Sequence, residues 1–202
     1  MVDTYKNFSE LSRERQEGTD FKIKAEDSLD KSIAFVAPHG GKIECRTSEV
    51  AIQSANGVFC LYLFEGVMVK NNYKLLHITS HNFDEPKALE LVSKCGAVVG
   101  VHGRRDKGDK GTIYLGGLDV KLIKLIETEL KNCDFKTKCS GHEFPAKNKY
   151  NICNRGISGK GAQIELPVSL RKRLSNDSFA MGSLSGALHR AACEFKRLND
   201  IL

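Results

Sequence analysis

The sequence predicts an α/β fold: a single domain with a central mixed, mainly parallel sheet flanked by helices. Three observations predict it. Apolar runs of strand length alternate with helix-length amphipathic stretches along most of the chain. The runs "SIAFVA" (32–37), "VFCLYLF" (58–64) and "AVVGVHG" (97–103) are almost unbroken in their apolar character, as expected of strands covered on both faces. The chain has 202 residues, 41% hydrophobic and 28% charged, which suits one soluble globular domain with a real core.

The elements follow in order. Residues 1–18 are polar and charged and read as a partly mobile, helix-like lead-in to a domain over 19–202. "FKIKAED" (21–27) alternates apolar and polar residues, as an edge strand does. The strand "SIAFVA" precedes a helix-like stretch, "RTSEVAIQSA" (46–55), and then the strand 58–64. "LLHIT" (75–79) reads as a further strand. Asp84 is placed to cap a helix over "EPKALELVSKC", with Pro86 in its first turn. The strand 97–103 follows. "LDVKLIKLIETELKN" (118–132) has apolar residues at 118, 122, 125, 126 and 130, a helical period. "DFKTKC" (134–139) and "AQIEL" (162–166) read as strands, and a C-terminal helix is expected over 185–200.

Composition narrows the partners and the compartment. No apolar run approaches the roughly 20 residues of a membrane helix. The N-terminal stretch lacks the apolar segment of a signal peptide, so a cytoplasmic protein is expected, reaching the outside only by cell lysis. Seven cysteines occur without a Cys-x-x-Cys pair. An odd, irregular set argues against a disulfide framework and against a thiolate zinc site. Most are read as small buried hydrophobes, with Cys45 as an alternative nucleophile. The net charge of +6 suits a polyanionic partner. Basic residues are scattered, however, and Trp is absent. A nucleic-acid binder would be expected to show a basic tract with interleaved aromatics, so no nucleic-acid partner is expected.

In open α/β sheets, chemistry collects beyond the carboxyl ends of the strands. Three predicted strands end on suggestive groups: "SIAFVAPH" on His39, "AVVGVH" on His102, "AQIE" on Glu165. Glu44 follows His39 by way of Gly40 and Gly41, which let the backbone fold back so that both side chains reach one point. Two imidazoles and a carboxylate make a catalytic zinc shell with its fourth position open. His39, Glu44 and His102 are the candidate ligands of one zinc ion per chain. Glu165, on another strand, is the candidate proton carrier. The competing reading of each residue is structural: a cap, a core histidine, or a carboxylate paired with a buried arginine.

The segments "APHGGKIECRTSE", "LHITSHNFDEP", "VVGVHG", "GGLD" and "NRGISGKGAQIELP", in this order, resemble the phage and Bacillus family of zinc-dependent poly-γ-glutamate hydrolases. The resemblance covers roughly residues 30–195. It implies a zinc-carboxypeptidase-like fold, cleavage of γ-linked glutamate polymers, His39, Glu44 and His102 as zinc ligands, and Glu165 as the catalytic carboxylate. Lys42, Arg104 and Arg105 depart from the family pattern without touching the ligand set.

A γ-glutamyl chain carries one α-carboxylate per residue, so cations should line its path. Asn154, Arg155 and Lys160 lie just ahead of Glu165 and are candidate substrate contacts. Arg155 is the preferred carboxylate clamp, with pairing to a core acid as its alternative. Lys160 also reads as a solvated loop charge. His81 is the histidine expected to face substrate, and His77 is read as structural. An acidic polymer is the expected partner and a monomer the expected state. The rival functions are a zinc amidase acting on small N-acyl amino acids and a non-enzymatic polyanion binder.

Overall fold

In the computed structural model, described over residues 3–199, seven strands form one sheet in the order β1-β3-β2-β4-β7-β5-β6. The strands are β1 (Phe21–Glu26), β2 (Asp30–Gly41), β3 (Phe59–Gly66), β4 (Ala97–Arg104), β5 (Ile113–Gly117), β6 (Thr137–Lys138) and β7 (Ala162–Pro167). The helices are α1 (Phe8–Glu14), α2 (Thr47–Ala55), α3 (Asn72–Leu76), α4 (Pro86–Val92), α5 (Val120–Asn132), α6 (Val168–Asn176) and α7 (Ser178–Asn199), with a 3₁₀ turn at Ile152–Asn154. Residues 1–2 of the expected lead-in, and residue 200 of the expected last helix, lie outside the described residues.

The four central strands, β3, β2, β4 and β7, run parallel. The outer strand β1 is antiparallel to β3, and β5 is antiparallel to β7, so the sheet is mixed. Alternation along β2 explains its unbroken apolar run. Ile33, Phe35 and Ala37 point into one core with α2, α5, α6 and α7, while Ala34 and Val36 point into a second core with α1 and α4. The edge position of 21–27 agrees with its alternating pattern. Residues 3–18, read from the sequence as a lead-in, pack closely: Leu11 is fully buried, and the Phe8 ring meets Phe21 and Phe64 edge-on.

Several expected elements differ. Residues 75–79 are not a strand: α3 ends at Leu76 and the chain continues extended without a ladder. Leu76 and Ile78 are fully buried, which accounts for their apolar character, but β1 and β2 already occupy both sides of β3. Strand β5, with Gly116 and Gly117 at its end, carried too weak a pattern to stand out. The expected strand 134–139 shrinks to two residues. Helix α7 begins at Ser178, where Asp177 Oδ1 accepts the Ala180 N–H (2.8 Å). Its first turns hold Gly182, Ser183 and Ser185, which weaken helix propensity and hid the start. The cap of α4 is Glu85, accepting from Ala88 N–H (2.7 Å), while Asp84 reaches back to the Phe8 N–H. Only Cys60, Cys95 and Cys153 are buried; Cys45, Cys139 and Cys193 are exposed, so most of the cysteines are not core residues. Among the described residues, no helix is long and apolar enough to cross a membrane.

Candidate metal centre and cleft

The carboxyl ends of β2, β4 and β7 open into a cleft of about 740 Å³ lined by His39, Glu44, His102 and Glu165. Register sets the first relationship: β4 and β7 pair so that His102 lies opposite Glu165. His39 is carried by the end of β2. The turn after it is closed by the Glu44 N–H donating to the His39 carbonyl (2.8 Å), which brings Glu44 back over the imidazole. Gly41 allows this turn: its φ is +60°, and a Cβ there would lie 2.6 Å from the Gly66 carbonyl.

The ring nitrogens can be assigned from their partners. His39 Nε2 lies 2.7 Å from the Ile78 carbonyl, which can only accept, so Nε2 carries a proton and the neutral ring presents its lone pair at Nδ1. His102 Nε2 has the Ser80 hydroxyl at 3.3 Å, and its Nδ1 faces His39 Nδ1 at 3.2 Å. Glu44 Oε2 is 3.3 Å from His39 Nδ1 and 3.8 Å from His102 Nδ1. Four ligands at about 2.0–2.1 Å around a tetrahedral zinc stand roughly 3.3–3.4 Å apart. The three donor atoms therefore already have the mutual spacing of a zinc shell. Two neutral imidazoles facing each other through Nδ1 at 3.2 Å, with a carboxylate oxygen beside them, form a donor set that suits a divalent cation. The outward N–H groups of the imidazoles have oxygen partners, as metal-bound histidines require.

Electrostatics agree with this crowding. Burial alone would raise Glu44, but His39, His102 and His77 around it hold it down to about 2. Burial, then His39, press His102 down to about 3. Burial opposes the charged form of His39, yet adjacent Glu44 and the Ile78 carbonyl bring it above its ordinary value. Burial, then Glu44, push Glu165 well above the usual carboxylate range.

His77, read from the sequence as structural, also belongs to the cluster. Its ring packs 4.1 Å from His39 and 4.7 Å from Tyr73, centroid to centroid. Its Nε2 is 3.9 Å from Glu44 Oε1, and the ligand atoms of His39, Glu44 and His77 lie within 4.8 Å of one another. Its Nδ1 is bonded to Asp3 Oδ1 (2.7 Å), while Asp3 Oδ2 accepts from the Thr79 N–H and hydroxyl (2.7 and 2.6 Å). Asp3 stands 74 positions from His77, and no local pattern connects them. Sequence reasoning also missed Gln163 and Asn151. Gln163 Nε2 donates to Glu165 Oε1 (2.8 Å), and Asn151 Nδ2 donates to Gln163 Oε1 (2.9 Å). The i, i+2 spacing of Gln163 and Glu165 on one strand was the available signal.

The expected substrate contacts separate. His81 lines the cleft and an adjoining pocket that also holds Lys6, Asn7 and Arg155. Arg155 therefore flanks the cleft rather than lining it, and it has no carboxylate partner among the described residues. Asn154 is corrected to a structural role. It is buried, its Nδ2 donates to the Ala146 and Asn148 carbonyls, and its Oδ1 accepts from the Leu118 and Gly161 N–H groups. No atom of it remains for substrate. Lys160 is also corrected: it is exposed just before β7, near the loop that bonds to Cys95 and Gly96. That is the amino end of the parallel strands, opposite the cleft. Arg171, not singled out in the sequence, lines the cleft instead.

A sequence profile of the poly-gamma-glutamate hydrolase family matches residues 5–197. The SPbeta prophage-derived UPF0714 protein YoqZ of Bacillus subtilis (strain 168) is 31% identical over 196 residues, covering 96% of this chain and 69% of YoqZ. The structure of a bacteriophage poly-gamma-glutamate hydrolase superposes with a TM-score of 0.90 at 30% identity, over 98% of this chain and all of that one (100%). The zinc-free apo structure of YndL superposes with a TM-score of 0.83 at 29% identity, over 94% of this chain and 97% of YndL.

Proposed function

The chain belongs to the poly-gamma-glutamate hydrolase family, and from that premise we propose that it is a zinc-dependent enzyme cleaving the γ-glutamyl amide bonds of poly-γ-glutamate. The observation that carries the reading is the convergence of His39 Nδ1, His102 Nδ1 and Glu44 Oε2 at zinc-ligand spacing in the same cleft as Glu165.

His39, Glu44 and His102 would hold the ion. Bound zinc supplies Lewis acidity toward the carbonyl oxygen and lowers the pKa of water at the site. The chain's own residues do the rest. Ser80 and the Ile78 carbonyl hold the two imidazoles with their lone pairs turned inward. The Gly103 N–H, donating to Glu44 Oε2 (2.8 Å), fixes the carboxylate. Glu165 has Oε1 committed to Gln163, which leaves Oε2 as its proton-carrying atom. It takes a proton from the attacking water and returns it to the leaving nitrogen. Burial, and after it the negative charge of Glu44, raises Glu165. A cation beside Glu44 offsets that charge and returns Glu165 toward the ionised, base-competent form. The acidic polymer suits the chain's positive balance, and the adjoining pocket with Lys6 and Arg155 offers room and charge for further glutamyl units.

The test is direct. Purified protein is incubated with poly-γ-glutamate, with and without a chelator, and product length is measured beside zinc content. Glu165→Gln should keep its zinc and lose turnover by about 10²–10⁴-fold, the usual weight of general acid–base catalysis. Near-normal turnover in that variant eliminates the proton-carrying role. A series of γ-glutamyl oligomers distinguishes a polymer hydrolase, which improves as subsites fill, from an amidase of small N-acyl amino acids.

A further inference from the structure

Arg171 lies on α6 with its guanidinium held over the end of β4. Nε donates to the Leu166 carbonyl (3.1 Å), Nη1 to the Cys45 carbonyl (3.0 Å) and Nη2 to the Arg104 carbonyl (3.5 Å). These acceptors are all neutral carbonyls, and among the described residues no carboxylate lies within ion-pairing distance of it. A guanidinium has five N–H donors, so donors remain. Fixed by three separate segments, half-buried and lining the cleft, this cation is pre-organised rather than solvated.

A second feature points the same way. Gly103 directly follows His102, and an added Cβ there would lie 2.6–3.0 Å from the Arg171 Nε, Cζ and Nη2 atoms. The absent side chain is the space in which the guanidinium lies. The backbone N–H of the same glycine holds Glu44. Arg171 is therefore seated one residue along β4 from a proposed zinc ligand, and its charge is felt at Glu165.

We propose that Arg171 is the clamp for the α-carboxylate of the glutamyl unit whose γ-carbonyl is attacked, so that it selects γ-linked glutamate over uncharged γ-amides. This rests on the hydrolase reading above. In a γ-linked unit the α-carboxyl carbon is four bonds from the γ-carbonyl carbon, about 5 Å when extended. The guanidinium lies against Gly103, the residue after His102, in the cleft that also holds Glu165. Arginine suits the role because its planar fork meets both carboxylate oxygens, which an ammonium does not. Arg155, in the adjoining pocket, would then meet a neighbouring unit rather than the reacting one.

The experiment compares two substrates of equal length: a γ-glutamyl oligomer with free α-carboxylates, and the same oligomer with every α-carboxylate converted to a carboxamide. Wild type should favour the carboxylate form by about 10- to 150-fold in kcat/KM, the weight of hydrogen bonds to a charged group. In Arg171→Met that ratio should fall toward unity, with Arg171→Lys between. Gly103→Ala, which keeps the arginine but displaces its guanidinium, should also lower the ratio and so guards against a folding defect in the Arg171 variants. A purely structural arginine would depress both substrates together, and an unchanged ratio in Arg171→Met or Gly103→Ala overturns the clamp while leaving hydrolysis standing. Wild type that cleaves neither substrate overturns the hydrolase reading and the clamp with it.

Discussion

Gln163 is where a conservative change should separate positioning from metal binding. Its Oε1 is committed to Asn151 Nδ2 (2.9 Å), whose own Oδ1 accepts the Cys153 N–H (3.1 Å). With its oxygen so engaged, Gln163 can turn only an N–H toward Glu165, and it does so at 2.8 Å. All three side chains are buried. Gln163→Leu keeps the volume and deletes both bonds. Losing a hydrogen bond to a carboxylate costs about 1.5–3 kcal/mol, which in the transition state is about 10- to 150-fold in kcat. Leaving Asn151 Nδ2 buried without a partner costs about 1–3 kcal/mol of stability. For a chain of this length that lowers the thermal midpoint by roughly 2–4 °C per kcal/mol. The assay is steady-state hydrolysis of a γ-glutamyl oligomer, with zinc content and melting measured on the same preparation. The expected pattern is a fall in kcat, little change in KM and full zinc. An unaltered kcat in folded, zinc-loaded protein refutes the positioning argument, and so does a loss of activity that merely tracks loss of zinc.

Two further predictions follow from the site. Zinc at 100 times its dissociation constant should stabilise the fold by about 2.7 kcal/mol, visible as a rise of several degrees in melting temperature. His102→Ala should abolish both the rise and the bound metal; full metal occupancy in that variant contradicts the ligand set. At Asp3, burial would raise the carboxyl, but His77 and Thr79 hold it well below the usual carboxylate range. A carboxyl depressed in the folded state stabilises above its unfolded pKa, and that contribution is lost as pH falls through the folded value. Asp3→Ala should therefore be less stable than wild type in denaturant titrations at pH 6, with the gap narrowing below about pH 4. A gap that stays constant over that range rules out the Asp3 carboxylate as its source.

Sequence pattern alone reached the parallel core of the sheet because buried strands need continuous apolar runs, and β2, β3, β4 and β7 have them. It also singled out His39, His102 and Glu165, which line one cleft, because they stand where those runs end. Glu44 was legible from the two glycines that turn the chain back. By contrast, β5 and the start of α7 carry glycines and serines that blur their periods.

What the sequence by itself determined was therefore the layered α/β scheme and the residues that ride on strand ends, since both follow from local periodicity. Only the tertiary structure decided which groups share the cleft. Asp3 reaches His77 across 74 positions and Arg171 reaches the Cys45 carbonyl across 126, while of two residues close to Glu165 in sequence Asn154 binds backbone carbonyls and Lys160 is exposed. A side chain's role at such a site depends on which carbonyls, acids and cations surround it in space. Those neighbours are set by how helices and loops dock on the sheet, which adjacency along the chain does not encode.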